Sequence, residues 1–387
     1  MWKIGWTAAL LAASLTTHAE RLDIKLGTET MRLELTDNTG WPTEYGQHQH
    51  GVIDGRPHSW ARLSRSDDTT HLALFNGSDR YLQGTIEDGL FHIVATRYAE
   101  SKINLFSHES RAGQLVNGYE ISLAMNTPAE APFTLPIDLA ADLAFKTQSL
   151  NWQFELLAQT NLAAGVMAHS FNIELRPRYI FADAPEAYDL LRGDFDAAAY
   201  ELQKWRAQKL LTADIAPSLM HYLSGLSAKA ASDGSYQEGN SFNDWACKPL
   251  GYDLGLSLYN KNTPWVMAHE IGHSLGAKHD EQTACDGSNS LMSTYFNGRT
   301  TIQSSACGIE SAAKALKRSC VISTNAEQLD DWKFGNPIET SDALRQNDSL
   351  GAALSAGTIN QTMILLLMAA YLIRSTALRA SSNSASL

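Results

Sequence analysis

The stretch His269-Glu270-Ile271-Gly272-His273-Ser274-Leu275-Gly276-Ala277-Lys278-His279-Asp280 decides how the rest of the chain is read. On an α-helix, positions i and i+4 share a face, so His269 and His273 project side by side and can hold one metal ion. The flanks suit a helix. Thr263 is a reasonable N-cap and Pro264 fits the first helical position. Gly276 is placed to end the helix in a left-handed conformation, and that turn lets His279 return as a third ligand. Three protein nitrogens leave the fourth position of a zinc ion for water, which marks a catalytic rather than a structural site. Glu270 is then the expected general base, taking a proton from a water whose pKa the metal lowers to roughly 7. The competing reading, histidines exposed on a surface helix, is disfavoured because five positions of the pattern are fixed at once.

Around this centre lie all four cysteines: Cys247 before it, and Cys285, Cys307 and Cys320 after it. An even number confined to one stretch of an exported chain reads as two disulfides stapling one domain. Their wide spacing, without a C-x-x-C pair, argues against metal ligation. Leu291-Met292-Ser293-Thr294 follows the third histidine, and on spacing alone Met292 is core filler.

At 387 residues and 44% apolar content the chain has room for two or three compact units. A net charge of −12 excludes nucleic acid as an expected partner, because phosphate binding needs basic surface. Residues 1–19 read as an export signal: Lys3, an apolar run Ile4 to Leu15, and small residues at Thr17-His18-Ala19. The run is too short for a membrane span of about 20 residues. The chain is therefore expected to pass through the secretory pathway and to act outside the cell or at its surface.

Residues 20–130 read as strands and turns, with alternation at Met31 to Leu35 and His71 to Phe75 and a further strand at Phe91 to Ala95. The polar run from Asn126 to Pro132 marks a boundary. Over 131–325 the pattern alternates between strand and helix. Strands are expected at Leu135 to Leu139, Phe171 to Ile180 and Leu219 to Leu226. Helices are expected at 150–168, with Leu150, Phe154, Leu157 and Ala164 on one face, and at Ala197 to Leu210, with Ala198, Leu202, Trp205 and Lys209. The implied class is α/β with a largely parallel sheet. Residues 326–348 are a polar linker. Residues 349–373 carry no charge and are a candidate transmembrane helix, with a packed terminal helix as the alternative, and 374–387 are a short tail.

With these residues in hand, the chain resembles the adamalysin/reprolysin group of metzincins, the ADAM and snake-venom metalloproteases. Asp280 directly after His279, the order of the cysteines, and Gly51 to Ser64 with Leu82 to Ile86 as a reprolysin-type propeptide carry the resemblance. It implies a metzincin catalytic domain, with the zinc cleft above a small lower subdomain, preceded by a mainly β prodomain. It also implies one zinc ion held by His269, His273 and His279, Met292 as the Met-turn, and Cys247–Cys320 and Cys285–Cys307 as the disulfides. A peptide or protein substrate would lie extended along an edge strand near Glu238 to Asp244. Calcium is not supported by any matching site. The alternative function is a non-catalytic binding or adhesion module, and Glu270 speaks against it because such a module needs no base. Two family features are missing. No cysteine precedes Cys247 to cap the zinc, and no Arg-x-x-Arg site separates 20–130 from 131–325. Restraint of the protease by residues 20–130 would then have to come from filling the cleft or from helping the domain fold. A zinc-capping role for His48 or His50 is the weaker idea, since an His-x-His is usually ordinary surface.

Overall fold

Period-two patterns in the N-terminal part form a seven-stranded closed barrel in the computed structural model, which describes residues 19–26, 28–78, 80–88, 90–98, 115–116, 119–120, 133–212, 215–227, 237–287, 289–295 and 300–323. Its strands are β1 (Glu20–Leu26), β2 (Glu29–Asp37), β3 (Gln47–Ile53), β4 (Trp60–Arg65), β5 (Thr70–Phe75), β6 (Arg80–Glu87) and β7 (Leu90–Tyr98). Successive strands pair antiparallel, and β1 closes on β7 through Lys25↔Leu90. Met31, Leu33 and Leu35 of β2 point inward with Leu63, Leu72, Leu74 and Phe91 to fill the interior. The sequence indicated strands here but not their closure. A two-residue pair, β8 (Leu115–Val116) and β9 (Tyr119–Glu120), follows.

The second layer is a six-stranded sheet with order β11-β10-β12-β14-β13, and β15 on β10. The strands are β10 (Phe133–Ala141), β11 (Ile173–Phe181), β12 (Leu219–Ser224), β13 (Gly239–Ser241), β14 (Leu254–Leu258) and β15 (Ile322–Ser323). β10, β12 and β14 run parallel, while β13 and β15 are antiparallel to their neighbours. Parallel strands need crossovers, and α1 (Leu143–Lys146), α2 (Trp152–Phe171) and α3 (Phe195–Thr212) lie along them, while α4 (Thr263–Ser274) and α5 (Ala306–Ala313) follow β14. The barrel and this layer belong to one compact unit.

Helix α2 is buried at every residue except Gln153. A helix apolar around its whole circumference must be covered on all sides. On one side it packs on α4 and α5, and on another on β3, β4 and β5 of the barrel. Leu150 lies outside this helix and is 97% exposed, contrary to the face expected for 150–168. Phe171 ends the helix instead of starting β11, with Asn172 left-handed at the cap (φ 56°). In α3 the buried stripe is Ala198, Leu202 and Arg206 rather than one passing through Trp205 and Lys209, because Arg206 is drawn inward by acids. Its guanidinium reaches Asp138 and Asp253 at 2.8 Å each, and Arg178 also pairs with Asp138 at 2.7 Å. Strand β12 ends at Ser224, two residues early.

The export signal (residues 1–18 of it), the 126–132 boundary, the linker, the candidate span 349–373 and the tail lie outside the described residues. Among the described residues no helix is long and apolar enough to cross a membrane.

Arg206→Met would leave Asp253 buried without a basic partner among the described residues. Breaking such a pair costs about 3–5 kcal/mol. The expected result is a clearly lower urea midpoint than the parent chain, and an unmoved midpoint would show that this cluster contributes little to stability.

Candidate metal centre

The zinc-site helix starts one residue earlier than the sequence suggests. Asn262 is the N-cap residue and Pro264 falls in the first turn. The Thr263 hydroxyl is occupied elsewhere, accepting from Asn260 N–H at 2.7 Å and lying 3.2 Å from the Leu258 carbonyl. At the other end Leu275 is the cap and Gly276 takes φ +102°, a value that favours glycine. Asp244 and Ala246 N–H groups donate to the His273 and Ser274 carbonyls, both at 2.9 Å, so the helix end is satisfied by the loop after β13.

This geometry gathers the three histidines. Nε2 of His279 lies 3.3 Å from Nε2 of His269 and 3.0 Å from Nε2 of His273. One ligand atom from each falls within 4.8 Å of the others. The remaining nitrogens of two rings face carbonyl oxygens: His269 Nδ1 is 2.6 Å from Leu291 O, and His273 Nδ1 is 2.7 Å from Ala277 O. A carbonyl only accepts, so these Nδ1 atoms donate and leave the Nε2 lone pairs aimed at a common point. Burial lowers all three imidazole pKa values, His273 to about 4 and His269 well below its usual range, so the rings are neutral at pH 7. Neutral imidazole is the form that binds a metal. Three converging nitrogens, with their orientation fixed by second hydrogen bonds, fit a four-coordinate divalent ion with one position left over.

Glu270 is buried beside this point. Burial pushes its carboxyl up to about 8, while the Ser241 hydroxyl, donating to Oε2 at 2.7 Å, pulls the other way. A cation held by the histidines would reinforce Ser241 and favour the carboxylate. Oε1 stands clear because residue 239 has no side chain. A Cβ there would lie 2.5 Å from Oε1 and 2.8 Å from Val266 Cγ1. Gly239 and Ser241 thus present the same side of β13 to α4, as alternation along a strand requires. Ser241 and Gly239 are site residues that the sequence reading did not single out, although it placed the edge strand there. Glu238 precedes them, its carboxylate accepting from Asn260 Nδ2 at 3.1 Å and from Asn262 Nδ2 at 3.2 and 3.3 Å. Together with the histidines, Glu270, Lys278 and Tyr295, these residues line a cleft of about 920 Å³.

Beneath the histidines, Met292 is fully buried. A Cβ on Gly272 would come within 2.7 Å of its Sδ, so the glycine of the motif is what lets Met292 approach the helix. Asp280 ties this turn to the third histidine. Its N–H donates to Met292 O at 3.0 Å, and its carboxylate accepts from Ser290 Oγ and Ser305 Oγ at 2.5 Å each. Ser290 Oγ in turn accepts from Met292 N–H at 3.1 Å. The two serines carry no sequence signature; their burial against the Asp280 carboxylate reveals them. Cys247 is bonded to Cys320, closing the first loop of the segment onto its end, and Cys285 to Cys307, with Cα separations of 5.5 and 6.1 Å.

His48 is buried and His50 half-buried, and neither lines the cleft. His48 Nδ1 lies 2.9 Å from Ser64 Oγ and His50 Nδ1 2.7 Å from Asn38 Oδ1, and burial takes both pKa values down to about 4.

Residues 134–315 match the reprolysin model described as metallo-peptidase family M12. A similar curated protein is the snake venom metalloproteinase fibrolase of Macrovipera lebetinus, 35% identical over 74 residues. That match covers 18% of this chain, and the chain spans 36% of the relative's length.

If Asp280 holds the turn that orients His269, Asp280→Ala should weaken metal binding by about 10–100-fold. Competition with a chromogenic chelator measures this, and unchanged affinity would remove Asp280 from the supporting network.

Proposed function

Residues 134–315 are a reprolysin-type domain of metallo-peptidase family M12, and on that premise we propose that the chain is a secreted zinc endopeptidase that cleaves peptide bonds in the cleft under β13. The observation that carries the reading is the convergence of three Nε2 atoms next to a buried carboxylate with one free oxygen. His269, His273 and His279 would hold one zinc ion. When bound, zinc supplies Lewis acidity that polarises the scissile carbonyl and makes water acidic enough to be deprotonated near neutral pH.

The chain's own residues do the rest. Glu270 Oε1 is placed to take a proton from the attacking water and to return it to the departing amine nitrogen. Ser241 fixes Oε2, so the carboxylate cannot rotate away as the proton moves. Among the described residues strand β13 pairs with β14 alone, and its outer edge would take an extended peptide as a further strand through main-chain hydrogen bonds. Met292 and the Asp280 network keep the floor of the site rigid. A binding module without catalysis would need neither the glycine that frees Oε1 nor the hydroxyl that orients Oε2.

Glu270→Ala is expected to abolish hydrolysis of a quenched peptide library while one zinc per chain remains by elemental analysis. Ser241→Ala should lower kcat by about 10–100-fold with little change in KM, since the hydroxyl acts on the base and not on bound substrate. Wild-type turnover by the Glu270→Ala protein would overturn the mechanism.

A further inference from the structure

The resemblance treats residues 20–130 as a propeptide, a part that restrains the enzyme and is then removed. The barrel that these residues build is arranged differently. The cleft is lined by residues between Gln237 and Tyr295, and none of the lining residues comes from 20–98. What the barrel covers is the far side of α2.

Strands β4 to β6 show why. In a free barrel each strand has one inward face and one wet face. In β4 the inward residues are Ala61 and Leu63, yet the outward ones, Trp60, Arg62 and Ser64, are also fully buried. In β5 the outward Phe75 is 1% exposed, and in β6 the outward Tyr81 is likewise 1% exposed. Trp60 and Phe75 pack against α2, and Tyr81 packs on Trp60 with 5.8 Å between ring centroids. Trp60 lies over Gly165, where a Cβ would come within 2.5 Å of the indole. His169 sits 4.7 Å from the Phe75 ring and 6.4 Å from that of Trp60.

The polar groups in the same interface are equally committed. Asn161 of α2 is fully buried and has its amide satisfied by the barrel. Its Nδ2 lies 2.9 Å from Leu63 O, 3.1 Å from Ser64 Oγ and 3.2 Å from Gln49 O, and its Oδ1 accepts from Asn38 Nδ2 at 2.8 Å. Arg62 makes a two-pronged pair with Glu174 of β11, at 2.8 and 2.5 Å. Glu155 of α2 meets His71 of the barrel at 2.9 Å and Tyr259, in the turn before the zinc-site helix, also at 2.9 Å.

We propose that the N-terminal barrel is a permanent subdomain of the protease, seated on the outer face of α2, and not a segment that leaves when the enzyme becomes active. Its departure would expose aromatic surface on both partners and give up the hydrogen bonds that Asn161 and Arg62 make across the interface. The missing features of the sequence agree. A barrel that never caps the zinc needs no cysteine, and a barrel that is not released needs no basic processing site between the halves.

The test cuts the chain without removing anything. A recognition sequence for a site-specific protease is inserted between Ala129 and Glu130 of the full-length protein, and the purified zinc-loaded chain is nicked there. The expected outcome is that both fragments stay together as one species in size-exclusion chromatography and native mass spectrometry. They should separate only in denaturant, and peptide hydrolysis should be the same before and after the nick. Fragments that part into two folded species, or activity that climbs by an order of magnitude on nicking, would overturn the proposal. Thermal unfolding of Leu74→Ala supplies a second readout that decides even if the insertion resists cutting. Loss of this barrel-core side chain should move barrel melting and zinc release to the same lower temperature, whereas zinc release unchanged from wild type would show two independent halves. Neither co-migration nor melting depends on hydrolysis, so an inactive chain would count against the endopeptidase reading and leave this inference to its own test.

Discussion

A helix with apolar residues around its whole circumference has no stable place at a surface, and α2 is such a helix. Covering it requires two partners, and the chain supplies one from each side of it in sequence. The barrel comes before α2 and the zinc-site helix after it. Gly165 on one flank admits Trp60, while Gly272 of the facing helix, whose added Cβ would lie 3.2 Å from Phe171 Cζ, permits close packing on another. The position of α4, and so of His269 and His273, is fixed against an element that is itself clamped from both sides. Transfer of apolar surface from water, at roughly 25 cal/mol per Å², drives this assembly.

Hydrophobic burial sets where the zinc-site helix lies but not where its side chains aim. That is decided by a few carbonyls and hydroxyls. Leu291 O and Ala277 O turn two imidazoles, Ser241 turns Glu270, and Asp280 holds the turn that presents Leu291. Each such bond contributes only about 1 kcal/mol to stability. Their effect on a reacting group is larger, because orientation in a site largely shut off from water is set before substrate arrives. The two disulfides enclose this lower half, where regular structure is sparse, and limit how far its loops can move.

The chemistry was legible in the sequence because it depends on short-range spacing: His273 four positions after His269, a glycine at 276, then His279. Of the second layer, β10, β11, β12, α2 and α3 were legible from period, with errors at their ends and where a charged residue is buried by a distant partner. Arg206 belongs to the inner face of α3 only because Asp138 and Asp253 wait there, and neither is near it in sequence. The same limit hid Ser290 and Ser305, whose hydroxyls are assigned by an acid brought to them by the fold. Of the two environments the sequence left open for His48, exposed or locally hydrogen-bonded, the fold gives the second, with Ser64 Oγ at 2.9 Å. A histidine on a strand looks exposed until a helix more than a hundred residues later covers it with Phe154.

Closure of the barrel and its docking were not legible at all, since Trp60-Ala61-Arg62-Leu63-Ser64 alternates in a way that suggests one wet face. The polar members of that face explain both the misreading and the arrangement. An interface made only of Trp60 and Phe75 would be sticky but could slide along α2. Asn161 meets these partners in one register only, the two hydrogens of its Nδ2 shared among Leu63 O, Ser64 Oγ and Gln49 O and its Oδ1 accepting from Asn38, and Arg62 reaches Glu174 in that same register. Moving the barrel by one helical turn would leave each of these groups buried and unpaired, at about 1–3 kcal/mol apiece. Polar residues that weaken the apolar pattern of the sequence are therefore the ones that give the assembled protein a single orientation, and through α2 they extend that orientation to the helix carrying the histidines.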